Sequence, residues 1–486
     1  MPEAVFTPAP VVLSPHELEL VGMVEPHEKS NEYPPCSKPL AVARQLYQHL
    51  FVTADGDALL LYWHGSWWRW GAGCWSSIDP LEVKAPLWET LEGAVVSNGD
   101  EYKEWAPTTA RIGNLMEPLQ ILTRLDNSRQ APAWLSKGYD VDPARLVALA
   151  NGLVDLDTKR LRPHTPKLLN TYALEFDYDP NAACPRWDAF ISQVFAHDPK
   201  GAEMLQQWFG YVISGDMRQQ KLLMLIGSGR NGKGVITRVL QQLMGLSNVV
   251  GTNLQNLGSD FGLADLIDKP LAVIGDARLS PKGTETVVQA LLSITGQDPL
   301  SINRKNKEFW QGTLPTRIMI STNEVPRMLD ASGAIVSRCL MLELELSFKG
   351  KEDKTLESDL AKELPGIFNW ALRGLKSLKK QGAFTVADSM GHLAERMGAY
   401  ASPVQEFMVE HFEITAQQGD MLPLAQVHRM YKNMVSEQGG KALSQSEFER
   451  RVEAACPGVK RVSPRIPGRK RERMLRGIKL LPSSIF

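Results

Sequence analysis

Cysteine is scarce in this 486-residue chain, and its five cysteines form no CxxC pair. Their spacing predicts neither a zinc ribbon nor a disulfide framework, so we expect reduced thiols. No stretch approaches the ~20 consecutive apolar residues that a membrane span requires. The N-terminus carries acidic residues and prolines where a signal peptide needs a basic start and an unbroken apolar segment. These absences predict a cytoplasmic protein without a membrane partner.

Net charge is also almost absent, at −1 for the whole chain at pH 7. Any attraction to nucleic acid must therefore come from local basic patches. The hydrophobic fraction of 43% and the charged fraction of 22% are ordinary for a globular protein. Because the length exceeds that of one ordinary core, it favours about three domains.

Changes of pattern along the chain predict four parts. Residues 1–35 are rich in Pro and Glu with weak periodicity, and we expect a poorly ordered lead-in. Residues 36–190 predict an α+β domain, and residues 191–385 predict an α/β domain. Residues 400–486 predict a separate basic module.

The N-terminal part combines helical and strand-like patterns. A helix is predicted over Pro39–Leu50, and residues 86–149 are predicted to be mainly helical. The tryptophan-rich run from Leu59 to Ile78, punctuated by glycines, predicts a β-hairpin or meander. Its tryptophans either form a small hydrophobic core or stack on nucleic-acid bases. A turn at Asn151-Gly152 then predicts a further hairpin.

The central part alternates strand-like runs (KLLMLIG, PLAVIGD, TRIMISTN) with helical ones. This alternation predicts an α/β sheet with crossover helices, and a helical stretch from Glu357 to Lys380 closes the domain. In the tail, two helical patterns precede two strand-like pieces around the basic turn IPGRKRE. Two helices followed by a basic hairpin predict a winged-helix-like domain.

The strongest chemical signal is the run GSGRNGKG between a strand-like and a helical segment. Glycines let such a loop present backbone N–H groups to phosphate, and Lys233 adds a charge for the β/γ-phosphates. Gly234 stands where a Ser or Thr hydroxyl usually meets Mg²⁺, so a water or Thr237 would have to serve there. The residues expected to contact nucleotide are Gly227, Ser228, Gly229, Arg230, Asn231, Gly232, Lys233, Gly234 and Val235.

Polar residues end the next two strand-like runs. Asp276 follows LAVIG, at the place of a carboxylate that holds Mg²⁺ and polarises the attacking water. Many motors carry two acids there, so either Asp276 serves alone or another carboxylate assists, with Glu285 and Asp298 as candidates. Asn323 follows RIMIST, where an amide can orient the lytic water or sense the γ-phosphate.

Taken in order, these motifs resemble those of superfamily 3 helicases of the phage and plasmid kind, the broad group that includes the poxvirus primase-helicases. The likeness runs from about Asn151 to about Leu378. GSGRNGKG resembles the family's Walker A motif, AVIGDA its Walker B motif and ISTNEVP its motif C. ITGQDPLSINRKNKEFW resembles the motif between B and C, and DASGAIVSR the stretch with the arginine finger.

The resemblance implies a modified AAA+ core that assembles as a homohexameric ring, binding ATP and Mg²⁺ between neighbouring subunits. Arg338 matches the finger position, from which an arginine reaches the γ-phosphate held by the next subunit. The family often has two consecutive arginines here, whereas this chain has Ser337-Arg338. The resemblance also implies catalytic roles for Lys233, Asp276 and Asn323.

Two basic segments are expected to contact DNA. In the motif between B and C, a hairpin would project Arg304, Lys305 and Lys307 into the ring channel to grip a single strand. In the tail, a basic wing would contact duplex, or would merely be a solvated charged hairpin. The wing residues assigned to DNA are Arg469, Lys470, Arg471 and Arg473.

These features predict an ATP-dependent DNA helicase of phage or plasmid replication in a bacterial host cell. The resemblance implies 3′→5′ movement on single-stranded and forked DNA, and further replication proteins are conceivable partners. One alternative is an origin-binding initiator or loader ATPase with little unwinding of its own. A second is a primase-associated protein, although residues 1–150 lack the clustered metal-binding acids that primer synthesis needs.

Overall fold

The computed structural model describes the chain in two compact units, the first ending at Tyr178 and the second beginning at Asp179. The boundary predicted at residue 190 would cut the helix Pro185–Val194, which belongs wholly to the second unit. The described residues are 31–98, 101–275, 284–305, 307–326, 328, 333–401, 403–415, 417, 419–437, 442–456, 458–463 and 472–481.

The first unit alternates helices and short antiparallel strands. Most of the predicted lead-in lies outside the described residues, but Tyr33 is buried and its N–H donates to the carbonyl of Val95 at 2.8 Å. The elements are α1 Pro39–Leu50, β1 Leu60–Trp63, β2 Ser66–Gly71, β3 Cys74–Ile78, α2 Pro80–Glu92, β4 Val95–Asn98, β5 Glu101–Glu104, α3 Thr109–Thr123, β6 Ala133–Trp134, β7 Leu146–Leu149, β8 Gly152–Asp155, β9 Leu161–Arg162 and β10 Leu168–Leu169.

The tryptophan-rich run forms the predicted meander, with β1, β2 and β3 paired in that order. Both two-residue connections, at 64–65 and 72–73, have positive φ at each position, as type I′ hairpin turns require. Trp63, Trp67, Trp68 and Trp75 are each at most 4% exposed. These four tryptophans therefore form core, and the alternative in which they stack on bases is wrong.

The helix predicted over Pro39–Leu50 is confirmed, whereas the prediction of mainly helix over 86–149 is wrong. Helix α2 ends before Gly93, and β4 and β5 form an antiparallel hairpin before α3 begins. The β-branched pair Val95-Val96 and the following Asn-Gly step favour a hairpin over a helix. The hairpin predicted around Asn151-Gly152 is confirmed by the pairing of β7, β8 and β9.

The second unit is built on a five-stranded parallel sheet of order β12-β13-β16-β11-β17, which confirms the predicted α/β sheet. β11 is buried along its whole length because it lies inside the sheet. The elements are α4 Pro185–Val194, α5 Pro199–Ile213, β11 Leu222–Ile226, α6 Lys233–Met244, β12 Val249–Thr252, α7 Leu254–Leu257, β13 Leu271–Gly275, α8 Thr284–Gly296, β14 Leu300–Arg304, β15 Lys307–Gly312, β16 Arg317–Thr322, α9 Ala334–Arg338, β17 Cys339–Glu343, α10 Leu356–Lys362 and α11 Leu364–Gln381.

Helices α5 and α11 pack closely through glycines. A Cβ on Gly210 would lie 2.4 Å from the carbonyl oxygen of Ala371, and one on Gly374 would lie 2.1 Å from that of Gln206. Only glycine permits this approach of the two helix backbones. The helical stretch predicted from Glu357 to Lys380 is confirmed, and it consists of two helices, α10 and α11, which meet at Glu363.

The tail contains the two predicted helices followed by antiparallel strands, but one further helix and two short strands lie before them. β21 pairs with both β19 and β20, while β18 pairs with β22. Most of the predicted basic turn lies outside the described residues. The elements are α12 Met390–Ala401, α13 Pro403–His411, β18 Phe412–Ile414, β19 Met421–Pro423, α14 Leu424–Glu437, α15 Gln445–Ala455, β20 Lys460–Val462, β21 Met474–Arg476 and β22 Ile478–Leu480.

Within the described ranges, no helix has the length and apolarity to cross a membrane, and every cysteine is free, with Cys36 exposed and the other four buried.

Candidate functional site

A glycine-rich loop joins β11 to α6, in the predicted strand–loop–helix arrangement. Its backbone has positive φ at Gly227 (153°), Arg230 (62°) and Gly232 (94°). A Cβ on Gly227 would lie 2.2 Å from Nδ2 of Asn231 and 2.4 Å from the carbonyl oxygen of Leu344, so glycine is required there. The sequence thus folds locally into a concave turn whose N–H groups and helix N-terminus suit an anion.

The segment that follows β17 fixes this loop from the side. The N–H of Leu344 donates to the carbonyl of Ile226 at 2.8 Å, and Nδ2 of Asn231 donates to the carbonyl of Leu344 at 2.9 Å. The N–H of Phe348 donates to the carbonyl of Arg230 at 2.8 Å. The loop conformation is therefore held by hydrogen bonds from a strand outside it, and not by glycine content alone.

Lys233 is the first residue of α6, at the end of the loop, and is only 7% exposed. Its Nζ contacts the carbonyl oxygen of Gly227 and donates to that of Ser228 at 3.0 Å and to Oδ1 of Asn231 at 3.2 Å. Oδ1 of Asn323 lies 3.5 Å away. Burial lowers the pKa of Lys233. The structure thus brings together Lys233, which follows β11 and the loop, and Asn323, which follows the neighbouring parallel strand β16.

The predicted carboxylate Asp276 lies outside the described residues, directly after β13. That strand runs parallel to β16, with Gly275 opposite Ser321, so both end at the edge where Lys233 and Asn323 meet. We call this the carboxyl edge, the side on which β11, β13 and β16 end. Glu285 is exposed in the first turn of α8.

The position after Lys233 has no hydroxyl. A Cβ on Gly234 would lie 3.0 Å from the guanidinium of Arg238. The guanidinium therefore lies next to the space that the side chain of a Ser or Thr would occupy at this position. The hydroxyl of Thr237 is buried and donates to the carbonyl of Lys233 at 2.9 Å. Among the residues that the structure describes, no three His, Cys, Asp or Glu side chains form a metal-binding group.

Arg338 lies at the opposite side of the sheet, the amino edge, where β11 and β17 begin. Its guanidinium donates to the side-chain oxygen of Gln220, and Nζ of Lys221 donates to the carbonyl of Ser337. Because the five residues of β11 span about 16 Å, Arg338 is remote from the glycine-rich loop of its own chain. It has no carboxylate partner within the described part of the chain.

Asp298 also lies at the amino edge. Nε2 of Gln220 donates to the carbonyl of Gly296, two residues before Asp298, at 3.3 Å. Asp298 is exposed there. The structure therefore does not bring this candidate carboxylate to Lys233 of the same chain.

A two-stranded hairpin, β14 and β15, carries the first predicted DNA-contact group. Ile302 and Trp310 are buried in the core under the sheet, whereas Lys305 and Lys307 are exposed near the tip. Nε of Arg304 donates to the backbone carbonyl of Glu308 at 3.0 Å, so this arginine also ties the hairpin together. Sequence reasoning missed Phe309, which is 59% exposed beside Lys307. The alternation of side chains along a strand was the available signal, because a buried Trp310 places its neighbour Phe309 on the exposed face.

Of the second group, Arg469, Lys470 and Arg471 lie outside the described residues. Nη1 of Arg473 lies 3.5 Å from Oε2 of Glu449, and Nε of Arg461 lies 3.4 Å from its Oε1. Glu449 is 3% exposed. The fold thus adds a buried carboxylate from α15 to this basic region. Arg473 shares that carboxylate with Arg461, so part of its charge is offset within the chain.

A cavity of about 620 Å³ opens beside the glycine-rich loop. Its walls come from α4 and from the segment 348–357, neither of which showed a motif in the sequence. Besides loop residues, the cavity is lined by Arg186, Ala189, Phe190, Gln193, Arg238, Ser321, Phe348, Lys351, Glu352, Asp353, Leu356 and Glu357. The arrangement of a phosphate-sized turn and an adjoining part-apolar cavity suits a molecule with an anionic end and a larger body.

Two family models match parts of the chain. Residues 46–196 match the family described as D5 N terminal like, and residues 225–338 match a family of unknown function, DUF5906. The second match contains the glycine-rich loop, the strands β13 and β16, the hairpin of β14 and β15, and Arg338. The D5 match supports a relationship with phage-type replication proteins.

The fold also has counterparts among solved structures. An apo structure of the NrS-1 C-terminal region is 13% identical, with a TM-score of 0.50, over 91% of this chain and 99% of that one. An A-form apo structure of the same region is 11% identical, with a TM-score of 0.49, over 89% of this chain and 98% of that one. The first likeness shows a shared mixed α/β fold with a parallel sheet.

Proposed function

We propose that this chain is an ATP-driven DNA helicase of phage or plasmid replication. It works as a homohexameric ring of modified AAA+ cores, hydrolyses ATP at subunit interfaces and moves 3′→5′ on single-stranded DNA. The observation that carries the proposal is the meeting of Lys233 with Asn323 at the carboxyl edge, within a loop shaped for phosphate.

The proposed chemistry assigns one task to each residue at that edge. Loop N–H groups and the Lys233 ammonium hold the β/γ-phosphates and neutralise their charge. The Asn323 amide orients the attacking water, which a 3.5 Å approach to Lys233 supports. Asp276, directly after β13, holds the metal or polarises that water. Mg²⁺, when bound with the nucleotide, neutralises charge developing on the transferred phosphoryl group.

Arg338 supports a site shared between two copies of the chain. An arginine that stabilises phosphoryl transfer must reach the γ-phosphate, yet this one lies at the amino edge, about 16 Å from the loop of its own chain. A neighbouring copy can present its Arg338 to the loop without any rearrangement of the sheet. ATP hydrolysis would then depend on contact between subunits.

The hairpin of β14 and β15 supplies the proposed grip on DNA. Its base is anchored by Ile302 and Trp310, while Lys305 and Lys307 are exposed. Lysines there bind the phosphate backbone of a single strand without reading its sequence. Exposed Phe309 offers a ring on which a base can stack.

The basic tail favours a second candidate, an origin-binding initiator or loader ATPase that unwinds little itself. Helices α13, α14 and α15 share a hydrophobic core with the strands of the tail, and this core includes Phe407, Tyr431 and Phe448. A winged-helix-like module with a basic turn at 466–472 would suit duplex DNA. Duplex contact through this turn is compatible with either function.

One experiment separates the candidates. ATP hydrolysis by the full chain is measured with and without single-stranded DNA, together with the mass of the assembly and unwinding of a forked duplex. A helicase forms a ring, is stimulated by single strands and separates the fork. Hydrolysis that responds only to duplex, without strand separation, would favour the initiator or loader.

A further inference from the structure

The cavity beside the glycine-rich loop has a wall to which the proposed hydrolysis assigns no task. Helix α4 contributes Phe190 and Gln193 to this wall, and the segment after β17 contributes Phe348. The two phenylalanine rings lie 6.3 Å apart, centroid to centroid, with their planes 29° from parallel. The two rings form an apolar wall next to the glycine-rich loop.

Both rings are fixed relative to the loop. Phe190 is 6% exposed, and a Cβ on Gly232 would lie 3.0 Å from its Cζ, so this ring packs directly on the loop. The backbone N–H of Phe348 donates to the carbonyl of Arg230. Phe348 is the more exposed of the two rings, so Phe190 supports it and Phe348 presents a face to the cavity.

Helix α4 is itself held in place at its first turn. The N–H groups of Arg186 and Trp187 donate to the two carboxylate oxygens of Glu363, each at 3.0 Å. A carboxylate that accepts from the first turn of a helix satisfies N–H groups that have no partner within the helix. The wall is therefore preorganised, as a specific binding surface should be.

Charged residues at the rim distinguish the two ends of the cavity. Carboxylates of the 352–357 segment pair with arginines across the mouth: Oδ2 of Asp353 with Nη2 of Arg186 at 2.6 Å, and Glu357 with Arg238. Each of these carboxylates is paired with an arginine, and its oxygens can still accept hydrogen bonds from ribose hydroxyls. The Lys233 ammonium attracts phosphates, whereas the uncharged phenylalanine wall suits the body of the ligand.

We propose that this wall is the nucleobase site: Phe348 stacks on the base of a nucleoside triphosphate, and the exposed amide of Gln193 hydrogen-bonds to the polar edge of the base. An amide offers both a donor and an acceptor, which matches adenine. The proposal rests on the function proposed above, because it takes the phosphates to lie in the loop. It adds that the chain selects its nucleotide by the base as well as by the phosphates.

Binding of ATP and of inorganic tripolyphosphate to the full chain tests the proposal. Phe348→Ala should weaken ATP binding by roughly 5- to 140-fold, the range for loss of a base–aromatic stack at 1.4 kcal/mol per tenfold. Tripolyphosphate binding should not change, and Phe348→Tyr should restore ATP binding. Phe261→Ala, which removes an exposed ring that does not line the cavity, is the matched control.

The amide is tested by comparing ATP with purine riboside triphosphate, which lacks the exocyclic amino group of adenine and so loses one hydrogen bond to the amide. Wild type should prefer ATP, and Gln193→Ala should narrow that preference. Unchanged ATP affinity in Phe348→Ala, or an equal loss of ATP and tripolyphosphate affinity, would overturn the base site. Lys233→Ala reports on the proposed function separately: if it binds both ligands as wild type does, the phosphate assignment itself fails.

Discussion

The two edges of the five-stranded sheet differ in what they can do alone. At the carboxyl edge, Lys233, Asn323 and the loop lie within hydrogen-bonding reach of one another, and a cavity opens beside them. At the amino edge, Arg338 and Lys221 bring positive charge together, with Gln220 as the acceptor for Arg338. In the described part of the chain, the carboxyl edge has a glycine-rich loop and a cavity, whereas the amino edge presents positive charge. Under the proposed function, a complete catalytic site combines the carboxyl edge of one copy with the amino edge of another.

The largest effect should come from the carboxyl edge. Lys233→Ala should abolish ATP hydrolysis, because it removes the buried charge that is proposed to hold the β/γ-phosphates and to neutralise the transferred phosphoryl group. Turnover at saturating ATP is the measurement, with circular dichroism to establish folding. Near-normal turnover in a folded Lys233→Ala protein is incompatible with a motor site at this edge.

Arg338→Ala should lower the rate of ATP hydrolysis roughly a thousandfold, while ATP binding and assembly are preserved. Hydrolysis and binding should respond differently because Arg338 is proposed to stabilise the transition state on the neighbouring copy, whereas ATP is bound by the loop. Arg218→Ala removes an exposed arginine at the same edge, paired with Asp216, and is the matched control. Loss of ATP binding in Arg338→Ala would show that the two edges are not separable.

Lys305→Ala combined with Lys307→Ala should weaken single-strand binding and stop unwinding, while ATP hydrolysis without DNA continues. Each lost phosphate contact should reduce the slope of log affinity against log salt by about 0.7. Binding across a salt series measures this, with Lys379→Ala and Lys380→Ala on exposed positions of α11 as the control. An equal loss in the control pair would mean that overall charge, and not the hairpin, attracts DNA.

The smallest effect concerns the stability of the amino edge. Burial raises the pKa of Asp268, just before β13, to about 6. Since this pKa exceeds the ordinary value of about 3.9, the native state loses stability as pH rises from about 4 to 6. Asn also tolerates the left-handed φ of 61° found here.

Asp268→Asn should therefore raise the free energy of unfolding at pH 7, by about 1 kcal/mol, and leave it unchanged at pH 3.5. Denaturant unfolding at both pH values is the test, with exposed Asp260→Asn as the matched control. A gain of equal size at both pH values would show that ionisation of Asp268 is not the cause.

The sequence predicted the sheet and the loop because their signals are local. Buried parallel strands appear in the sequence as apolar runs. The loop is a continuous motif, and its glycines are required by close contacts such as that between Gly227 and Leu344. The hairpin of β4 and β5 was missed because helical spacing was extended through residues that favour a strand. An Asn-Gly step after Val95–Asn98 was the stronger signal.

Other parts of the site depend on contacts between distant segments and left no motif. Phe190 and Phe348 are separated by more than a hundred residues and meet only because both pack on the loop. Glu449, on a different element, offsets one of the two positive charges of Arg461 and Arg473, so the charges along the tail overstate its free positive charge. Local patterns predicted the elements, whereas partners across the fold determined which charges are available.

The shared site is tested most directly by mixing two inactive variants. Lys233→Ala subunits keep an intact amino edge, and Arg338→Ala subunits keep an intact carboxyl edge. In mixed rings, some interfaces pair an intact loop with an intact Arg338. We expect ATP hydrolysis to reappear and to pass through a maximum as the mixing ratio is varied. No recovery at any ratio, in assemblies shown by mass to contain both variants, would contradict a site built from two copies of the chain.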